Sequence, residues 1–141
     1  MTRSRLLLVV VLFVSLTAVG CGSTNTDLPP TAPVTGKVTY QGQPVSNGLV
    51  TFHPANGSKP ASGQTGKNGE FTLSTFERED GAVFGKHKVT IKAYQEGQDV
   101  SLVPADKLTY AVPKKYVDEA TTSLEVEVKK GSNDIALELK D

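Results

Sequence analysis

The sequence predicts an all-β domain, a seven-stranded antiparallel β-sandwich, and three observations lead there. Short runs of residues alternate between apolar and polar, three Asn-Gly pairs (Asn47-Gly48, Asn56-Gly57 and Asn68-Gly69) punctuate the first half of these runs, and no stretch carries a helical repeat of useful length. Alternation with a period of two is the pattern of a strand with one buried face. Asn-Gly supplies the positive φ angles of tight turns, so Val34 to Ser74 is expected to be a β-meander with its corners marked.

The chain opens with a leader. Arg3 and Arg5 precede an unbroken apolar run from Leu6 to Val14, which continues through Ser15, Leu16, Thr17, Ala18 and Val19. These are the length and flanks of a secretory signal, and a membrane-spanning helix needs about 20 apolar residues. The run ends in Ala18-Val19-Gly20-Cys21, and Cys21 is the only cysteine in the chain. Small residues before a Cys at that place resemble the lipobox of bacterial lipoproteins. The resemblance implies a signal peptide over residues 1 to 20, removed in the mature protein, and a diacylglyceryl and an acyl chain on Cys21. Two such chains are sufficient for stable membrane attachment. Ala18 and Val19 stand where that motif usually has Leu and a small residue. Gly22 in place of Asp after the Cys favours the outer membrane by the same resemblance.

Gly22 to Pro33, rich in Gly, Ser, Thr and Pro without periodicity, completes a tether over residues 21 to 33. The domain is expected over residues 34 to 141. Val34, Val38 and Tyr40 share one parity, opposite Thr35, Lys37 and Thr39; Gln41 to Pro44 turns the chain. Val50 and Phe52 then point inward and Thr51 and His53 outward. Ala61 to Thr65 reads as an edge strand, and Phe71 and Leu73 alternate with Glu70 and Thr72. The alternation is cleanest in Val89, Ile91 and Ala93 against Lys88, Thr90 and Lys92. Leu124, Val126 and Val128 precede a turn at Gly131-Ser132-Asn133, and Ile135, Leu137 and Leu139 follow it. The connection from Tyr94 to Thr121 is far longer than the usual few residues. It either packs down, with Leu102, Val103, Leu108, Tyr110, Val112 and Tyr116 covering an open end of the sandwich, or forms a functional loop.

Composition excludes several functions. The whole chain carries 15 basic and 15 acidic residues, and losing Arg3 and Arg5 with the leader leaves 13 against 15. That balance gives no electrostatic basis for nucleic acid as a partner. No Gly-x-Ser-x-Gly elbow, phosphate loop or catalytic carboxylate pair is present. His53 and His87 are the only histidines and lack metal-ligand spacing, so neither a metal nor any cofactor is expected, and no catalytic residue is assigned. The acidic run Glu77 to Gly81 reads as a solvated hairpin tip. Lys86, Lys88 and Lys92 with Lys114 and Lys115 form a local basic patch, or, on a strand face, discourage edge pairing.

Taken together, Val34-x-Gly36-x-Val38, Gly42-Gln43-Pro44-Val45, Gly48-x-Val50-x-Phe52-x-Pro54, Gly63-x-Thr65 and Gly69-x-Phe71-x-Leu73 resemble the carboxypeptidase regulatory-like domain. The continuation through Gly85 to Val89, Pro113 to Tyr116 and Thr122 to Leu124 resembles small planctomycete-type bacterial lipoproteins of that kind. The resemblance implies a transthyretin-like (prealbumin-like) sandwich without catalysis of its own. Where relatives carry Asp-x-Asp-Gly, this chain has Gly66-Lys67-Asn68-Gly69, which lacks the carboxylates of a hard-cation site. The purine-pathway hydrolase of the same fold needs several His and Arg residues and a C-terminal Tyr-Arg-Gly-Ser. This chain ends Glu138-Leu139-Lys140-Asp141, and Arg78 is the only arginine after the leader.

The expectation is therefore a non-enzymatic, lipid-anchored module of the cell envelope, in the periplasm or at the cell surface, with a structural or protein-interaction role. The alternative is a carbohydrate- or peptide-binding module that uses Tyr94, Tyr110 and Tyr116 of the long loop beside Lys114 and Lys115. Its partners would be the membrane, through the lipid, and envelope proteins or glycans. A minor enzyme or metal site at His53 or His87 is the third reading, and it requires a carboxylate within reach of one imidazole.

Overall fold

The computed structural model describes residues 27 to 141. The leader, Cys21 and the first residues of the tether lie outside the described residues. Strands β1 (Thr31–Ala32), β2 (Val34–Tyr40), β3 (Gln43–Pro44), β4 (Leu49–Pro54), β5 (Ala61–Gln64), β6 (Glu70–Thr72), β7 (Ala82–Val83), β8 (Gly85–Lys92), β9 (Glu125–Val128) and β10 (Asn133–Leu139) account for nearly all regular structure. One sheet has β2 at its centre, with β10 on one side and β3 and β6 sharing the other; the second runs β5-β4-β8-β9. β1 and β7 form a small ribbon beside them.

All seven anticipated strands are present, and the alternation sorts their side chains as expected. Val34, Val38, Phe71 and Leu137 of the first sheet meet Val50, Phe52, Val89 and Ile91 of the second in one buried cluster. Phe52 and Phe71 touch across it with ring centroids 6.2 Å apart. Gly36, opposite Phe71 on the neighbouring strand, leaves room for that ring, since a Cβ there would lie 2.7 Å from its tip.

Three features depart from the expectation. The sandwich has ten strands rather than seven, the extra three being two-residue pairings. It is not wholly antiparallel, because β10 runs parallel to β2 over seven residue pairs, from Asn133 opposite Val34 to Leu139 opposite Tyr40. The turn after β9 carries the chain from one sheet to the other, so β10 arrives in the direction of β2. For the same reason Val34 to Ser74 is not a simple meander. Asn56-Gly57 lies in the β4–β5 connection, whereas Asn47-Gly48 and Asn68-Gly69 lie where the chain changes sheet. Gly69 has φ +78°, and a Cβ on it would sit 2.4 Å from the Val38 carbonyl, so glycine is required by both backbone and neighbour.

The predicted edge strand β5 is an edge of its sheet, and Ser62 bridges from it to Ser74, closing that side of the sandwich. β8, by contrast, is interior, and Lys86 and Lys88 stand opposite Glu127 and Glu125 of β9, so they do not guard an edge. The run expected as a solvated tip is exposed at Glu77, Arg78 and Glu79, and it is wound around Asp80, whose carboxylate accepts the N–H groups of Thr75, Phe76 and Glu77 at 2.6, 2.9 and 3.1 Å. Thr75 adds a hydroxyl bond to the Gly81 carbonyl.

The long connection divides. Val112 and Tyr116 enter the core cluster with Leu139, closing the end where β2 and β10 finish. The Tyr116 hydroxyl donates to the Lys140 carbonyl at 2.9 Å and accepts its N–H at 3.1 Å, occupying outward backbone groups just past β10. Val103, Leu108 and Tyr110 are only half-buried, and Leu102 is 79% exposed, so these do not cover the end. The remainder lies against the outer face of β8 and buries Thr90, which by strand parity should face water.

Candidate functional site

The covering of β8 creates the site. Strand parity sends His53 of β4 and Thr90 and Lys92 of β8 to the outer face of the second sheet, and the loop brings Tyr110, Lys114, Lys115 and Glu119 over them. The result is a depression of about 600 Å³, within the ordinary range for small-ligand sites. Its floor is polar. His53 Nε2 lies 2.9 Å from Thr90 Oγ1, and His53 Nδ1 lies 3.4 Å from Glu119 Oε2.

The charges at its rim are unequally engaged. Among the described residues Lys92, Lys114 and Lys115 have no carboxylate within ion-pair distance, although Lys115 Nζ sits 5.2 Å from the Tyr116 ring centroid. Three lysines there face two acids: Asp118, whose Oδ1 accepts the Ala120 N–H, and Glu119, whose Oε2 lies beside His53 Nδ1. The depression therefore presents more cation than anion.

The five candidate ligand-contacting residues separate. Tyr110, Lys114 and Lys115 line the depression together. Tyr94 stacks on Tyr110, with ring centroids 5.1 Å apart and planes inclined by 25°, and lines a neighbouring groove instead. Burial, followed by the adjacent Tyr110 phenol, pushes the Tyr94 hydroxyl above its ordinary pKa. Tyr116 is buried in the core with its hydroxyl occupied, because the loop needs an aromatic plug at that end. The neighbouring groove, about 860 Å³, is the larger of the two but is lined mainly by neutral groups such as Pro44, Leu49 and Val100, and gathers little chemistry.

His53, Thr90, Lys92 and Glu119 complete the site. Outward parity marked His53 and Lys92 in the sequence, but nothing there showed that a loop nearly thirty residues downstream of Thr90 would deliver Glu119. The required carboxylate thus stands beside one imidazole. The line Thr90–His53–Glu119 has the connectivity of a hydroxyl–imidazole–carboxylate relay, yet the Thr90 residue is only 4% exposed, so an incoming acyl group has little access to its oxygen.

His87, on the same parity as Val89 and Ile91, is buried, with its ring 5.8 Å from that of Phe52. Its Nε2 donates to the Val83 carbonyl at 2.8 Å, leaving Nδ1 enclosed without a partner. Among the described residues no three His, Cys, Asp or Glu side chains are grouped to hold a metal ion.

The fold and site define an all-β sandwich with a basic, tyrosine-flanked depression on one outer face. No family model matches the chain, and no curated protein sequence matches it. Among solved structures it is similar to the crystal structure of a DUF3823 family protein from Parabacteroides merdae ATCC 43184, with a TM-score of 0.44 and 17% identity. That likeness covers 80% of this chain and 47% of the other, so the chain spans about half the length of that protein.

Proposed function

We propose that the chain is an exported, lipid-anchored β-sandwich of carboxypeptidase regulatory-like type, a non-catalytic module of a bacterial cell envelope. Cys21, after a basic and apolar leader, would carry the lipid and hold the domain at the outer membrane, on its periplasmic or outer side. The motif Ala18-Val19-Gly20-Cys21 and the tether that follows support this reading. The observation that supports a non-catalytic role is the burial of Thr90: a relay whose hydroxyl is enclosed is a packing and hydrogen-bonding device. Its partners would be envelope proteins or glycans, and the acidic balance of the mature chain argues against nucleic acid.

A specific geometry favours the ligand-binding form of this role. The chain enters the sandwich at β1, which pairs with β7 beside Gly85, whereas the depression runs along β8 from His53, opposite Lys88, to Lys92, roughly 10 to 24 Å away at about 3.4 Å per residue. An anchored domain would thus hold the depression toward the end away from its tether. Cys21→Ser tests the anchor. The wild-type chain should label with palmitate and sediment with membranes, and the variant should do neither. A variant that still labels with palmitate sinks the reading.

A further inference from the structure

The depression on β8 combines three features that a single ligand chemistry satisfies. Lys92 and Lys114 offer ammonium groups with no carboxylate within ion-pair distance, so an anionic group entering the depression displaces no ion pair. Tyr110 uses one ring face against Tyr94 and borders the depression itself, offering an aromatic surface of the kind on which a pyranose ring packs. Glu119 is more than half exposed, and its carboxylate lies 3.4 Å from His53 Nδ1, so an acceptor stands within a basic site. A trap for bare anions gains nothing from that carboxylate, which repels them. A ligand that carries hydroxyl donors as well as a negative charge uses it.

We infer that this depression binds an acidic saccharide, with Lys92 and Lys114 taking its anionic group, Tyr110 its ring face, and Glu119, beside His53, a hydroxyl. The inference rests on the ligand-binding form of the proposed function, but not on the lipid anchor. The charged group is a carboxylate or an ester sulfate, and both are borne by saccharides.

The test is calorimetric titration of the full chain in non-ionic detergent with trigalacturonate, a chondroitin sulfate tetrasaccharide, neutral maltotriose, hexaglutamate and vesicles containing phosphatidylglycerol. The two acidic saccharides should bind and weaken as salt rises, and whichever binds more tightly identifies the anionic group. Lys92→Gln and Lys114→Gln, both at exposed positions outside the core, should each weaken binding at least tenfold with an unchanged melting temperature. Glu119→Gln should weaken saccharide binding without strengthening it for hexaglutamate beyond the saccharide. Equal binding of maltotriose, equal binding of hexaglutamate, binding to the vesicles alone, or full affinity in the lysine variants would each overturn the inference. So would the absence of heat with every ligand. Because Cys21 takes no part, these outcomes are independent of palmitate labelling.

Discussion

Asp80→Ala should destabilise the domain by about 2 to 3 kcal/mol. The carboxylate accepts three backbone N–H groups, from Thr75 at 2.6 Å, Phe76 at 2.9 Å and Glu77 at 3.1 Å. Thr75 is buried and Phe76 half-buried, so their N–H groups are poorly placed to find water once the acceptor is removed, while the exposed Glu77 rehydrates. Two lost bonds to a charged acceptor, at roughly 1 to 1.5 kcal/mol each after partial solvent compensation, give that figure. Against a total stability of about 5 to 15 kcal/mol this is a large fraction. In a domain of this size it should lower the melting temperature by roughly 10 °C.

The pH dependence provides an independent check. Burial pushes the Asp80 carboxyl upward, but the bonds from Thr75, Phe76 and Glu77 outweigh it and hold the carboxyl below its ordinary value. A depressed pKa in the folded state means that the stabilisation is complete above the unfolded value of about 3.9, and is lost as pH falls through the folded value. Urea unfolding followed by far-ultraviolet circular dichroism should show wild type and Asp80→Ala furthest apart at pH 7 and converging below about pH 4. A difference under about 0.5 kcal/mol at neutral pH, the size of an ordinary surface change, or one that persists undiminished in acid, would refute the reasoning.

Other changes probe the packing. Phe71→Ala removes a ring buried against Phe52 and should cost about 3 to 5 kcal/mol in the same urea assay. Gly69→Ala should cost more than about 1 kcal/mol, since the residue keeps a positive φ and its new methyl meets the Val38 carbonyl; a neutral effect would mean the turn relaxes freely. Tyr116→Phe keeps the plug but frees both backbone groups of Lys140, and should lower stability by about 1 to 2 kcal/mol with faster amide exchange at Lys140.

Strand identity was legible in the sequence because a period of two needs only local information: Val89, Ile91 and Ala93 declare an inward face whatever they pack against. Sheet membership was not. The same Asn-Gly pair can close a hairpin or carry the chain between sheets, and only long-range contacts decide, as Gly69 against Val38 shows. The site was half legible for a related reason. Tyr110, Lys114 and Lys115 stood out as polar and aromatic residues in an overlong loop, but Tyr116, a few positions on, carried the same signal and serves as a core plug. Thr90 and Glu119 were invisible because their roles arise when one segment covers another. Asp80 read as part of an acidic run, although its three N–H partners all lie within five residues of it.

The parallel pairing of β2 with β10 also sets a timetable. β2 is joined to a strand reached about a hundred residues later, and β10 supplies one whole edge of the β2 sheet. At roughly 5 to 20 residues per second of synthesis, β2 exists for some 5 to 20 seconds before that partner does. Until then its outer edge is a row of open hydrogen-bonding groups, the kind of surface that recruits the wrong strand. The β2 sheet is complete only when β10 arrives, which makes its closure a non-local, late step.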